Sequence, residues 1–260
     1  RTAAPDRPSL AAASAAPGNE SWRESSSEEP DGGQGAARSR IATVATMDEL
    51  VGRLAGAHAP QGGYRTLMTG EAETMDLAKH AIDLANQLSK RNAAVILVNW
   101  SRGGRGIDAE AGVNMSRGFT DLLLGEVSFD EAVQRLPGSN VHFMGCGAAL
   151  SGDHDDIDSN HLNLILDALD ETYEHIIVVG NYSDARFLFE TIQGRFDAGI
   201  LVGARQPHEN EPDADGTFLG FEVIEIDIIR FYPAGTAQTE ARRSTRQWRT
   251  PSNEIRHRLN

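Results

Sequence analysis

Few residues in this chain stand at spacings that chemistry uses. The densest group is Asp153-His154-Asp155-Asp156-Ile157-Asp158 with His161. These are hard oxygen and imidazole donors of the kind a divalent cation takes. The same carboxylates suit the amino end of a helix, where they meet the positive end of its dipole, and that is the reading adopted. Gly103-Gly104-Arg105-Gly106 follows an apolar run, as a phosphate-cradling loop would. No lysine or capping hydroxyl follows it and no clear helix begins at once, so it reads as a surface loop. Cys146 lies between two glycines. A thiol near a helix amino end can be reactive, but a small buried residue is the expectation. His142 and His175 fall in or beside strands, where a core or edge histidine is expected. His175, Ser183 and Asp184 make no recognisable triad, and without a G-x-S-x-G elbow hydrolase chemistry is not expected. Arg242-Arg243-Ser244-Thr245-Arg246-Gln247-Trp248-Arg249 could meet anionic lipid, where each basic residue is worth about 1 kcal/mol. It could also meet the chain's own acidic body or a partner, and it reads by default as a solvated tail.

The elements that must position these groups follow from composition and periodicity. The 260 residues carry 24 Lys and Arg against 38 Asp and Glu, a net charge of −14. That balance argues against non-specific nucleic-acid binding, which depends on neutralising phosphates. The acid is uneven, because residues 230–260 hold seven arginines against Glu240 and Glu254. One cysteine excludes an internal disulfide framework or a cysteine zinc site and suits a reducing compartment. No apolar run approaches the roughly 18 residues that cross a bilayer, and no segment is expected to be a signal peptide. The first residue is Arg rather than Met, so a piece of a longer or processed chain is expected.

Residues 1–45 are rich in Ala, Ser, Pro, Gly and Glu and are read as a disordered linker. An α/β domain is expected over 46–232 and a basic flexible tail over 233–260. Thr46, with Glu49 three residues on, predicts a capped helix from Thr46 to Ala55. Arg65–Thr69 reads as a strand. Leu77, Ala78, Ala81, Ile82, Ala85 and Leu88 recur at three and four, predicting a helix over Thr74–Lys90. The unbroken apolar runs 93–98 and 176–179 are strands buried on both faces. Short helices are expected at Phe119–Leu124 and Ser128–Leu136, a strand at Val141–Met144, and helices at Asp158–Thr172 and Asp184–Gln193. Ala198–Val202 and Phe221–Ile229 complete the strands. Alternation of this kind makes a three-layer α/β fold, a mostly parallel sheet with helices on both faces.

The order of segments resembles the cytoplasmic domain of bacterial tyrosine kinases, relatives of the MinD/ParA P-loop ATPases. The most specific match is Gly118-Phe119-Thr120-Asp121-Leu122-Leu123-Leu124-Gly125-Glu126 followed by Phe129-Asp130-Glu131-Ala132-Val133, against the family's G-L-x-D-L-L-x-G and its acidic, apolar helix. Val141-His142-Phe143-Met144-Gly145-Cys146-Gly147 resembles its L-x-V-L-P-A-G strand. Phe196-Asp197-Ala198-Gly199-Ile200-Leu201-Val202 resembles A-D-x-V-L-L-V, and Phe218-Leu219-Gly220-Phe221-Glu222-Val223 resembles L-G-x-V-L-N. The resemblance spans about Tyr64 to Arg230. It implies a P-loop NTPase-like fold in a domain fused to, or partnered with, a membrane polysaccharide co-polymerase.

The family's catalytic motifs, laid over this chain, fail. Its phosphate-loop lysine falls on Leu77 and the magnesium-holding hydroxyl on Ala78, while loop glycines fall on Thr74 and Asp76. A P-loop needs glycines so that successive N–H groups face phosphate, and a lysine to neutralise it. The acids of L-L-V-D-x-D fall on Asn99 and Ser101, and the strand ending D-x-P-P meets Gly180 and Asn181. A tyrosine cluster is missing too, since the tyrosines are Tyr64, Tyr173, Tyr182 and Tyr232. Between Arg205 and Thr217 the chain looks trimmed where the family has a longer helix, and Glu49 and Arg53 echo its E-x-x-R-x-x-R motif loosely. The expectation is a catalytically inactive kinase-like domain with an erased nucleotide pocket near Thr69, Thr74, Asp76, Leu77, Ala78, Asn99, Ser101 and Gly180. No catalytic residue, metal or cofactor is assigned; ATP and magnesium enter only if the domain is an active autokinase, phosphorylated at Tyr182 or Tyr232. The resemblance implies a cytoplasmic place at the inner face of a bacterial inner membrane, in exopolysaccharide polymerisation and export. The partner would be the co-polymerase or a membrane segment of the same chain tethered by the linker. An anionic membrane surface and a homo-oligomer are further candidate contacts, and nucleic acid is not one.

Overall fold

The structure is a computed structural model. It describes residues 41–71, 76–103, 106–113, 117–150, 157–192, 195–203, 217–222 and 226–233, all within the second of two units, residues 39–260. The chain opens with β1 (Ile41–Val44) and α1 (Met47–Ala55), then β2 (Tyr64–Gly70), α2 (Ala78–Ser89) and β3 (Val95–Asn99). Three short helices follow: α3 (Asp108–Ala111), α4 (Phe119–Leu123) and α5 (Phe129–Ala132). The strands β4 (Val133–Arg135) and β5 (His142–Met144) precede α6 (Ser159–Asp170), β6 (His175–Val179), α7 (Tyr182–Thr191) and β7 (Ala198–Val202). Last come β8 (Thr217–Phe218), β9 (Phe221–Glu222) and β10 (Asp227–Phe231).

Eight strands form one sheet in the order β1-β10-β7-β2-β6-β3-β5-β4. All neighbours pair in parallel except β4 with β5. Side chains alternate between the faces of a strand, and the two cores follow. Tyr64 and Met68 of β2 join Leu97, Ile177 and Ile229 beneath α1, α2 and α3. Leu67, between them, joins Ile96, Val178 and Ile228 beneath α4, α6 and α7. The sheet therefore has helices on both faces, as expected.

The Thr46 helix forms as read: Glu49 N–H donates to Thr46 Oγ1 at 3.2 Å and Thr46 N–H to Glu49 Oε2 at 3.2 Å. Four expectations change. Residues 41–44, assigned to the linker, are strand β1 on the sheet edge; four residues with only Val44 buried carry too short a pattern to stand out. The helix expected over Ser128–Leu136 stops at Ala132, where Val133 turns extended and β4 pairs antiparallel with β5. The strand expected over Phe221–Ile229 is two, β9 and β10. In the β8–β9 hairpin Leu219 and Gly220 both take positive φ, 55° and 82°, the mirror-image turn that matches strand twist. Finally, α2 begins at Ala78 rather than Thr74, and Thr74 lies outside the described residues, as do 151–156, 204–216 and the arginine-rich tail.

Candidate functional site

In the sheet β2 and β6 are neighbours whose exits diverge. From β2 the chain runs through α2, on one face, toward β3. From β6 it runs through α7, on the other face, toward β7. Connections that leave in opposite directions open a crevice at the carboxyl ends of the strands. A cavity of 340 Å³ lies there, lined by the β3 exit Asn99-Trp100-Ser101, the β6 exit Val179-Gly180-Asn181, the start of α2 and the loop before α3.

The residues named from sequence divide. Asp76, Leu77, Ala78, Asn99, Ser101 and Gly180 come together on the cavity wall. Thr69 does not: it is fully buried with Leu67 on the other face of β2, and its hydroxyl finds no partner. Leu77 is the N-cap of α2 and makes no side-chain cap bond. It is buried with Ala81 and Leu84 in the first core. The position onto which the resemblance lays a phosphate-binding lysine is thus part of the hydrophobic core. Lys79, two residues on, is exposed and does not line the cavity.

Asn99 is buried and its amide donates to Asp108 Oδ1 at 2.6 Å. The same carboxylate accepts from Cys146 N–H at 3.2 Å and from Cys146 Sγ at 3.0 Å. Asp108 opens α3, a helix the sequence did not announce. Its role was hidden because nothing local marks an acid whose partners come from two strand ends. Burial, then the Asp108 hydrogen bond, push the Cys146 thiol up to about 12. It is a protonated donor, not a nucleophile, consistent with the expected buried residue. Gly106 closes over this network; at its φ of 129° a Cβ would lie 2.3 Å from Asn99 Oδ1, so only glycine fits.

On the β6 side, Asn181 caps α7 by accepting from Asp184 N–H at 2.8 Å. Asp184 in turn holds Arg102 (Nε to Oδ1, 2.7 Å), whose guanidinium lies 4.4 Å from the Phe187 ring centre. Trp100 Nε1 donates to Asp184 O at 2.7 Å. Asn181 followed three residues later by Asp184 is a cap pattern legible in sequence, yet the expected helix began only at Asp184. His175 is buried in β6; His142, on β5, bonds Tyr173 Oη through Nδ1 at 2.7 Å. Among the described residues no group of three potential ligands could hold a metal.

The motif that best carried the resemblance is structural. Asp121 accepts from Gly118 N–H at 2.7 Å, and Thr120 Oγ1 donates to Cys146 O at 2.8 Å and Ala148 O at 2.6 Å. These bonds fasten α4 to the loop after β5, which carries Cys146 against Asp108. Gly118 is required by proximity, since a Cβ there would lie 2.1 Å from Gly145 O.

No family model and no curated protein matches the sequence. Solved structures do. The chain is similar to the BceF tyrosine kinase domain, with 15% identity over 72% of this chain and 76% of that one and a TM-score of 0.54. It is similar to the chimerical protein CapA2B2, at 14% identity over 70% and 80% of the chains and a TM-score of 0.52. Against the VpsO kinase domain identity is 18% over 66% and 86%, with a TM-score of 0.51. The fold is that of a bacterial tyrosine kinase domain. The described cavity residues do not fit ATP and magnesium. They include two carboxylates, Asp76 and Glu110, and no lysine or arginine. A polyphosphate placed there would meet like charge without a neutralising partner.

Proposed function

We propose that the chain is a kinase-like domain without phosphoryl-transfer chemistry, acting by protein–protein contact. The observation that carries this reading is Leu77, packed into the core at the start of α2 where a phosphate-binding lysine would stand. Asn99 supports it, being committed to Asp108 rather than to a metal, and Gly180 supplies no acid at the end of β6. Loss at three strand ends removes the phosphate clamp and the metal ligands together. The fold shared with the BceF and VpsO domains and the Gly118–Glu126 motif support a place beside a membrane polysaccharide co-polymerase. There the domain would set assembly or chain length of an exopolysaccharide at the inner face of the membrane. Among the described residues no helix is long and apolar enough to cross a membrane, so the membrane contact would come through a partner or another part of the chain.

Thermal unfolding of the full chain with and without ATP or ADP and magnesium tests the erased site. A nucleotide at 100 times its Kd would add about 2.7 kcal/mol, several degrees of midpoint for a domain of this size. No shift is expected. A clear shift, or phosphotyrosine at Tyr182 or Tyr232 by mass spectrometry after incubation with ATP, overturns the reading in favour of an active autokinase. Tyr232 is poorly placed for that: it is buried, and its hydroxyl donates to Glu71 at 2.7 Å. The polysaccharide role is tested by deletion in the source bacterium. An unchanged polymer length and yield would remove it.

A further inference from the structure

A second cavity, of 610 Å³, lies at the opposite end of the sheet, between the carboxyl end of α2 and the turn joining β4 to β5. Its charge is the reverse of the molecule's. Lys90 and Arg135 line it together with the neutral polar side chains of Asn86, Ser89, Ser139 and Asn140, and no carboxylate is among its described lining. In a chain of net charge −14 this is a local concentration of positive potential.

The walls are braced before any ligand arrives. Arg135 Nε donates to Ser139 O at 2.8 Å, and a terminal nitrogen donates to Asn140 Oδ1. With five N–H donors in a fixed fork, the guanidinium keeps others to offer. Ser139 Oγ bonds Asn86 Oδ1 and accepts from Val141 N–H at 3.0 Å, tying the turn to the helix. The end of α2 carries a partial negative charge, about half an elementary charge. The carbonyls of Asn86, Leu88 and Ser89 already accept from the N–H groups of Lys90, Arg91 and Asn92 at 3.0, 2.9 and 3.0 Å. Two full cations outweigh what remains.

We propose that this cavity binds a phosphate monoester. Two cations with amide and hydroxyl donors on separate walls suit a tetrahedral dianion, which presents acceptor oxygens in three directions. A planar carboxylate would leave donors unused. The volume exceeds a phosphate group alone, so the ester's organic part has room. A soluble phosphorylated metabolite and a phosphatidic-acid headgroup share this chemistry.

Calorimetric titration of the full chain with inorganic phosphate and glycerol 3-phosphate tests the soluble source. Cosedimentation with phosphatidylcholine vesicles, with and without phosphatidic acid, tests the lipid source. Lys90→Gln and Arg135→Gln are each expected to weaken binding about tenfold, the effect of losing one charge-assisted bond. The arginine-rich tail is common to every variant, so a difference between them reports the cavity. Loss of soluble-probe binding in the variants assigns a soluble ester. Loss confined to phosphatidic-acid vesicles assigns the headgroup. No binding of any probe, or equal binding by Lys90→Gln, overturns the proposal. Lys90 is an exposed side chain, so that variant folds and stays informative even where Arg135→Gln does not.

Discussion

Arg65 lies within β2 at 6% exposure, and its charge is met from α6. Nε donates to Asp170 at 3.0 Å and a terminal nitrogen reaches both Asp167 and Asp170. Its backbone N–H donates to Asp197 at 2.8 Å. Removing a buried charge strands its partners, whereas removing a half-exposed one lets water substitute. Arg65→Ala is therefore expected to cost about 3 kcal/mol in urea unfolding. Asp167→Asn, with the Asp167 side chain 49% exposed, should cost under about 1 kcal/mol. Equal costs would mean the pair is not the source of stability. His175 gives a pH dependence. Burial holds its imidazole below the ordinary histidine range, and Nδ1 is buried without a partner. Its folded pKa is thus below the unfolded value of about 6.5, and protonation favours the unfolded chain. The stability it contributes is present above that value and falls as pH drops through the folded pKa. The nearby charges are Glu174, which raises it, and His58, which lowers it. Urea midpoints between neutral and mildly acidic pH should fall less steeply in His175→Gln than in the natural chain.

At the scale of elements, α4 is the hinge pin of the site. Five residues cannot make a stable helix alone, and α4 is held by Asp121 and Thr120 to its own start and to the loop after β5. Asp121→Ala removes the acceptor for Gly118 N–H and for Ala148 N–H at 3.3 Å. A lost cap and an unmet donor together are expected to cost about 2 kcal/mol. Hydrogen exchange at Cys146 N–H should quicken, because the loop that presses it on Asp108 loses its anchor. Unchanged exchange there would separate α4 from the site. The long elements were legible because their apolar periods are long: six apolar positions mark α2, and unbroken runs mark β3 and β6. Of the short ones, α4, α5 and β5 were legible and three others were not. α3, β4 and β1 have three or four residues each, too few for a period, and exist because neighbouring strands and loops hold them.

At the scale of the molecule, the mostly parallel sheet opens a crevice at the carboxyl ends of its strands. The crevice remains because topology makes it: diverging exits from β2 and β6 leave a gap whatever side chains line it. Its affinity is set by those side chains, so nucleotide is expected to leave the unfolding midpoint unmoved. The charge is also divided by place. Asp76 and Glu110 line the first cavity and Lys90 and Arg135 the second, one at each end of α2. An anionic ligand in the second cavity should therefore bind in a salt-sensitive way, weakened about tenfold by either the Lys90 or the Arg135 variant and indifferent to Asp76→Asn.

By itself the sequence determined the alternation of strands and helices, the two-faced burial of the sheet and the types of residue at the strand ends. Those are local properties, carried by period and by side-chain chemistry. It also put uncharged residues, Leu77, Ala78, Asn99 and Gly180, where the resemblance implies phosphate-binding and metal-binding groups. Only the tertiary structure decided that Leu77 is core, that Thr69 faces away from the cavity, and that Asp108 holds Asn99 and Cys146. It alone brought Lys90 and Arg135, 45 residues apart in sequence, to one cavity. Contacts between distant segments depend on strand order, and strand order comes from how the whole chain buries its apolar surface, which no local pattern encodes.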